Sequence, residues 1–457
     1  MTDHDLEQRL RAFYRAEIND RETAPLQLRT DLATFTQTAA RSRRPLTLGW
    51  RFSMNRFAPF ALAATAIAVA LLIGGLLLRP SFDVGPSPSP DTTHSATLEP
   101  SATPVATARA AAWTMTGSMN YVHNYGYPRG TATLLLDGTV LVAGGSDPSG
   151  ALTSAELYDP GTGIWTPTPE DPHVHRDNPT ATLLRDGRVL IVGGSLYLYQ
   201  GPRPNTQPEL YDPVSGTWQY TGSMSNDRRT GHTATLLSDG RVLVAGGTGN
   251  SPSAELYDPV SGTWSATGNM VEARTTTSAT VLPDGRVLVA GSDAGEPNAS
   301  AELYNPATAT WTATGNMIDA RISTTATLLP DGTVLVAGGT GANGILASAE
   351  LYDPASGTWT ATSSMGMNRA LFTATLLRDG KVLVAGGARE SGLGAPAELY
   401  DPATRTWTRT ANLDVPRARH TATLLLDGSV LLAGGLNGID GSVDLTSAEV
   451  YDPGSGN

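Results

Sequence analysis

The sequence predicts an all-β fold, a ring of seven four-stranded antiparallel blades (a β-propeller) over residues 112–457. Three observations predict it. An Asp-Gly pair recurs at Asp137, Asp186, Asp239, Asp284, Asp331, Asp379 and Asp427, at intervals of 49, 53, 45, 47, 48 and 48 residues, which is the length of a blade. A Glu-(Leu/Val)-Tyr-(Asp/Asn)-Pro phrase follows each pair, and in six of the seven a Trp stands nine residues after its Glu. The seventh phrase, at Glu449, has no Trp, but a spare repeat-type Trp113 opens the region. The last blade is therefore expected to borrow its outer strand from the residues around Trp113, closing the ring at seven blades and removing two open sheet edges.

Each strand of a blade is legible in the fullest copy, His232 to Trp264. T-A-T-L-L reads as the first strand. The Asp-Gly that follows is a hairpin signal, expected as a type I′ turn with positive φ at both residues. R-V-L-V-A is almost wholly apolar, so the second strand is expected to be buried on both faces. Gly-Gly ends it in six units; the fourth has Gly291-Ser292. A-E-L-Y is the third strand, and the Trp after D-P-x-S-G-T marks the fourth. The fixed recurrence of Tyr and Trp assigns both to packing between blades. Strand polarity puts the Asp-Gly and Asp-Pro turns on one face. The loops between second and third strands, with the connections between blades, fall on the other.

Gly-Gly at the end of the second strand, then Tyr, then Trp with six residues between them, resembles the kelch repeat over about three quarters of the chain. WD repeats fit less well, because none of the Trp residues here is followed by Asp. An Asp-box fails because Trp stands six residues after the Asp instead of five. The resemblance implies a seven-bladed kelch propeller similar to the central domain of galactose oxidase. Copper enzymes of that kind use a Tyr cross-linked to Cys, and this chain contains no Cys. The cofactor expectation is none, and no catalytic residue is nominated.

Three zones precede the repeats. Residues 1–56 hold two candidate short helices, one with Leu6, Leu10, Phe13, Tyr14 and Ile18 at helical spacing and one opening at Pro25 with Leu28, Leu32 and Phe35. Residues 57–78 carry no charge and are long enough to span a bilayer. A signal peptide fits worse, because this run is long, starts far from Met1 and lacks a clean small-x-small cleavage site. Arg41, Arg43, Arg44, Arg51 and Arg56 precede it and Arg79 follows nearly alone, which predicts a cytoplasmic N-terminus and an exterior propeller. Residues 79–111, rich in Pro, Ser, Thr and Ala, read as an extended linker.

The formal charge is −12, and the repeat region carries the excess acid, which argues against nucleic acid as a partner. Arg recurs four residues before the first strand as Arg176, Arg229, Arg274, Arg321, Arg369 and Arg417. This is either a ring of cations at the pore mouth or a set of partners for Glu156, Glu209, Glu255, Glu302, Glu350, Glu398 and Glu449. Candidate ligand contacts cluster in the variable loops of one arc: Tyr121, His123, Tyr125 and Tyr127, then His173 and His175, then Tyr197 and Tyr199. Tyr offers broad, rigid, amphipathic contact area suited to sugars or peptides. Two His without a third ligand do not specify a metal, and none is expected.

The leading functional expectation is a membrane-anchored, extracytoplasmic module that binds a glycan, peptide or protein through its variable loops. One alternative is a transmembrane sensor whose residues 1–56 engage a cytoplasmic partner. Its layout resembles that of bacterial anti-sigma regulators without their His/Cys zinc motif. The other is a carbohydrate-active enzyme on the same scaffold, a chemistry that fold alone does not assign.

Overall fold

In the computed structural model the chain divides into two units, Met1–Ser101 and Ala102–Asn457. The structure describes residues 109–454 except 124–130, 148–149, 199–200, 205–206, 226–229, 248–250, 276–277, 292–295, 390–391, 395 and 438–442. The helical segment, the membrane span and most of the linker expected before the repeats lie outside the described residues. Among the described residues no helix is long and apolar enough to cross a membrane.

Seven four-stranded antiparallel sheets account for the described core. Blade 1 runs through Thr131–Leu134, Val140–Ala143, Ala155–Asp159 and Ile164–Pro167, and blades 2 to 6 repeat that order. Blade 7 is Thr421–Leu424, Val430–Ala433 and Ala448–Asp452, completed by Ala112–Met115, with Trp113 opposite Tyr451. The first strands neighbour one another from blade to blade all the way round, and Thr421–Leu424 returns to Thr131–Leu134. The ring is closed by the strand that the unmatched Trp predicts.

The second strands are buried throughout, Val140–Ala143 and its six counterparts alike. Apolar clusters form between blades. Leu377, Leu383 and Leu399 of blade 6, for example, meet Val430, Leu432, Tyr451 and Trp113 of blade 7. In every blade the Tyr of the third strand faces the Trp of the fourth across the sheet, ring centroids 4.9–5.1 Å apart. Six of the seven Tyr hydroxyls also reach a Thr of the preceding blade, as Tyr158 does to Thr116 at 2.8 Å. The aromatic pairs are seams between blades, each combining area burial with one polar tie.

The Asp-Gly turns differ from the expected type I′. Only the Gly has positive φ (Gly138 at 89°), while Leu135 accepts from the Gly138 N–H and donates to Thr139 O. The loop is thus three residues, Leu136-Asp137-Gly138, with the left-handed residue forming a bulge. Asp137 stays right-handed because its Oδ1 accepts from both the N–H and the hydroxyl of Thr139. This local Asx bond replaces the second positive φ.

Candidate functional site

The connections between blades are built around a buried carboxylate. The Glu that opens each third strand is almost fully buried, from 0 to 2 % exposed. In blades 2, 4, 5, 6 and 7 it meets the connection Arg: Arg176–Glu209 at 2.9 Å, Arg274–Glu302 at 3.0 Å, Arg321–Glu350 at 2.7 Å, Arg369–Glu398 at 2.6 Å and Arg417–Glu449 at 2.7 Å. The same guanidinium donates to the carbonyl of the first Gly after the second strand, at 2.8–3.0 Å, and so ties the connection to two strands of its blade. Each Glu also accepts backbone N–H groups from the connection, as Glu302 does from Val271 and Glu272. These five Arg are fully buried. They are occupied inside the blades, while Arg229 lies outside the described residues.

Blade 1 departs from that rule. His123 occupies the Arg slot with 0 % exposure, its Nδ1 2.6 Å from Gly144 O and its Nε2 3.3 Å from Glu156 Oε1. Burial pushes the Glu156 carboxyl up, but hydrogen bonds from His123, Asn120 and Tyr121 outweigh it and hold the group below its usual value. Sequence spacing carried this signal. His123 stands ten residues after Trp113, as Arg274 does after Trp264 and Arg321 after Trp311. Counting back from the first strand instead finds Tyr127, because the blade 7 to blade 1 connection is longer beyond the His.

The neighbouring candidates lie on the same arc. Tyr121 is 41 % exposed and its ring stands edge-on to His123 at 6.3 Å. His173 adds its N–H and its Nδ1 to Glu209 Oε1, each at 2.8 Å, and packs against exposed Tyr220 with ring centroids 4.9 Å apart. His175 is exposed. Tyr197 sits in a hairpin, Ser195–Leu198 with Gly201–Pro204, whose strands are twice as long as those of the other two-stranded hairpins described. Tyr125, Tyr127 and Tyr199 lie outside the described residues.

Backbone bonds make this arc continuous. Gly145 N donates to Arg176 O at 2.7 Å, and Arg176 N donates to Leu152 O at 3.0 Å. Asp177 bridges Ser195 in both directions, and the Gly150–Ala151 strand lies beside Ser195–Leu198. Gly145 is required here, because a Cβ on it would stand 2.0 Å from His123 O and its φ is +97°. The loops of blades 1 and 2 therefore form one surface anchored on His123–Glu156 and Arg176–Glu209.

Two features of the arc escape motif reading. Asp177 is 3 % exposed, its Oδ1 has no hydrogen-bond partner, and burial pushes its carboxyl up to about 7. The residue after the connection Arg is Ile322, Ala370 or Ala418 in blades 5 to 7, so an acid there was the available signal. The seam between blades 1 and 2 is also irregular. Thr168 turns its hydroxyl to Glu170 O, and Tyr211 Oη is left buried without a partner, its phenol raised to about 12 chiefly by burial. Pro169 follows where four of the other seams have Gly117, Gly222, Gly268 and Gly315, each donating an N–H across to the next blade.

Among the described residues no three His, Cys, Asp or Glu side chains gather in a way that could hold a metal ion. With Cys absent from the sequence, the Tyr–Cys cross-link of galactose-oxidase-like copper enzymes has no sulfur partner here.

The Kelch motif matches at residues 128–172 and 323–366. No curated protein matches the chain by sequence. Among solved structures, a fungal alcohol oxidase of the AA5 family, in complex with copper, is similar at 20 % identity and a TM-score of 0.61, covering 75 % of this chain and 76 % of the oxidase. The structure of YjhT is similar at 16 % identity and a TM-score of 0.50, covering 65 % of this chain and 99 % of YjhT. Both likenesses concern the fold. With Gly-Gly, Tyr and Trp recurring around a closed ring, the chain is a seven-bladed β-propeller that carries the Kelch motif at residues 128–172 and 323–366.

Proposed function

We propose that the protein is a membrane-anchored, extracytoplasmic binding module whose ligand, a glycan, peptide or protein, docks on the loop face of blades 1 and 2. The observation that carries the reading is the concentration of departures from the repeat on that one arc. Blade 1 has His123 in place of Arg, and blade 2 has buried Asp177, the longest described hairpin and the exposed His173–Tyr220 pair. Rigid repeat folds carry recognition where neighbouring loops depart from the repeat, as they do on this arc.

The point of chain entry supports an anchored arrangement. Ala112 pairs with Asp452 at the Asp-Pro turns, and Arg109 Nη2 lies 2.6 Å from Asp452 Oδ2. The first described residues, from Arg109, thus enter the propeller on its turn face, opposite the loop face.

The test is a glycan and protein array probed with the full chain in detergent, followed by Tyr121→Ala and His173→Ala. Both side chains are substantially exposed, so the variants are expected to fold normally and lose binding about tenfold or more. Unchanged binding in both variants would remove this arc from the function.

A further inference from the structure

Blade 6 holds an arginine cluster that the repeat does not explain. Arg369 fills the connection slot with 0 % exposure, as its counterparts do, but it is poorly supplied with acceptors. In blades 4, 5 and 7 the Ser two residues before the Glu offers the guanidinium a carbonyl and a hydroxyl: Ser300, Ser348 and Ser447. Blade 6 has Pro396 at that position, followed by a register shift in the strand pair. Arg369 is left with Gly386 O at 3.0 Å and Glu398 Oε1 at 2.6 Å, and its Nε is buried without a partner.

Two further arginines lie within electrostatic reach of Arg369. Arg409 stands directly opposite Glu398 in the strand pair and is exposed. The other blades present Pro167, Tyr220, Ala266, Ala313, Ala361 or Met115 there. Arg389 sits in the hairpin that bridges back to the connection, with Ala388 exchanging both backbone bonds with Ala370. Its guanidinium touches only Met367 Sδ and Leu393 O, both at 3.4 Å, and its Nε is also buried without a partner. Burial lowers the proton affinity of Arg369, Glu398 opposes that, and the charges of Arg389 and Arg409 add to the lowering.

Among the described residues, two further arginines thus stand beside the Arg369–Glu398 pair with no carboxylate contact of their own, where blades 2, 4, 5 and 7 set a single Arg against their Glu. We propose that this cluster is an oxyanion-binding site. Arg389 and Arg409 would grip a carboxylate, sulfate or phosphate group from the loop face, and Arg369 would supply the buried positive charge beneath them. Guanidinium forks match planar and tetrahedral oxyanions through paired N–H donors, which is the chemistry the cluster lacks from its own chain. In a chain of net charge −12, such a local excess selects anions by position and not by bulk field. The site lies in a different blade from the arc proposed above, and neither depends on the other.

The experiment uses the full chain in detergent at constant ionic strength, titrated with sodium sulfate, phosphate or acetate against a sodium chloride reference and followed by thermal melting. Each effective anion is expected to raise the melting temperature saturably, as a ligand of the folded state does. Arg409→Gln, at an exposed position, is expected to fold and to weaken the apparent affinity about tenfold, and Arg389→Gln with Arg409→Gln to abolish the saturable part. Arg405→Gln, an exposed Arg of the same blade, is expected to leave it intact. A galacturonate trimer that binds tighter than acetate assigns the anion to a carbohydrate; equal affinities assign it to a free small anion. No saturable shift with any of these probes, or a shift that survives the double substitution, overturns the site.

Discussion

Single side chains set the electrostatics of this propeller, and Asp177 shows how. Its carboxyl is buried and unpaired, and its pKa stands near 7 instead of its ordinary 3.8. A raised acid favours the folded state fully only below the unfolded value, and that contribution is lost as pH climbs from 3.8 to about 7. Asp177→Ala places in blade 2 the residue that blades 6 and 7 have at Ala370 and Ala418. It is expected to stabilise the protein by on the order of a few kcal/mol at pH 8, with the gain fading toward pH 4. Melting at both values checks it, and a gain that is equal at both refutes the buried charge. Glu156 behaves in the opposite sense. Its lowered pKa adds stability above the usual carboxyl range, which disappears as pH falls through the lowered value. Glu156→Gln should therefore cost about 2 kcal/mol at pH 7, given its charge-assisted bonds, and progressively less in acid.

Among elements, the Gly-Gly step between second and third strands is the most demanding. A methyl group at Gly386 would stand 2.3 Å from Arg417 O, whereas Gly392, at the tip of its hairpin, has nothing within 4 Å. Both have positive φ, 64° and 116°. Gly392→Ala should cost about 1 kcal/mol, the conformational term alone. Gly386→Ala should cost at least twice that, because the backbone of the next blade has to move. Comparing the two midpoints in urea separates close approach from backbone strain. At this scale the sequence was a good guide to strands and a partial one to turns. Alternation and apolar runs placed the strands within a residue or two, since buried second strands leave little room for other residues. The turn type was misjudged because Asp-Gly permits two hairpins, and the choice rests on an Asx bond to Thr139 that no periodicity reports.

For the whole ring, closure was legible because Trp113 has no partner phrase of its own and Glu449 has no Trp. Removing residues 110–116 is expected to strip the outer strand from blade 7, expose Tyr451 and lower the melting temperature by more than 10 °C. An unchanged melt would show that the ring closes by other means. The binding arc was only half legible. Its Tyr and His stood out by composition, but Asp177 and the unsatisfied Tyr211 seam arise from three-dimensional neighbours, where one Pro and one diverted hydroxyl undo ties that other blades keep. The cluster in blade 6 was hidden for a similar reason. Arg409 and Glu398 lie far enough apart in sequence that only sheet register sets them opposite each other.

The direction of the entering strand also has a mechanical consequence. Ala112–Met115 runs from the turn face, opposite Asp452, toward the loop face, opposite Glu449. A pull between a ligand held at the loops and the chain at residue 109 therefore acts along the strand axis. It loads all four pairings from Ala112–Asp452 to Met115–Glu449 in shear, so they must fail together and not one after another as in a zipper. The strand that closes the ring is thus oriented to resist tension applied through its own N-terminal end.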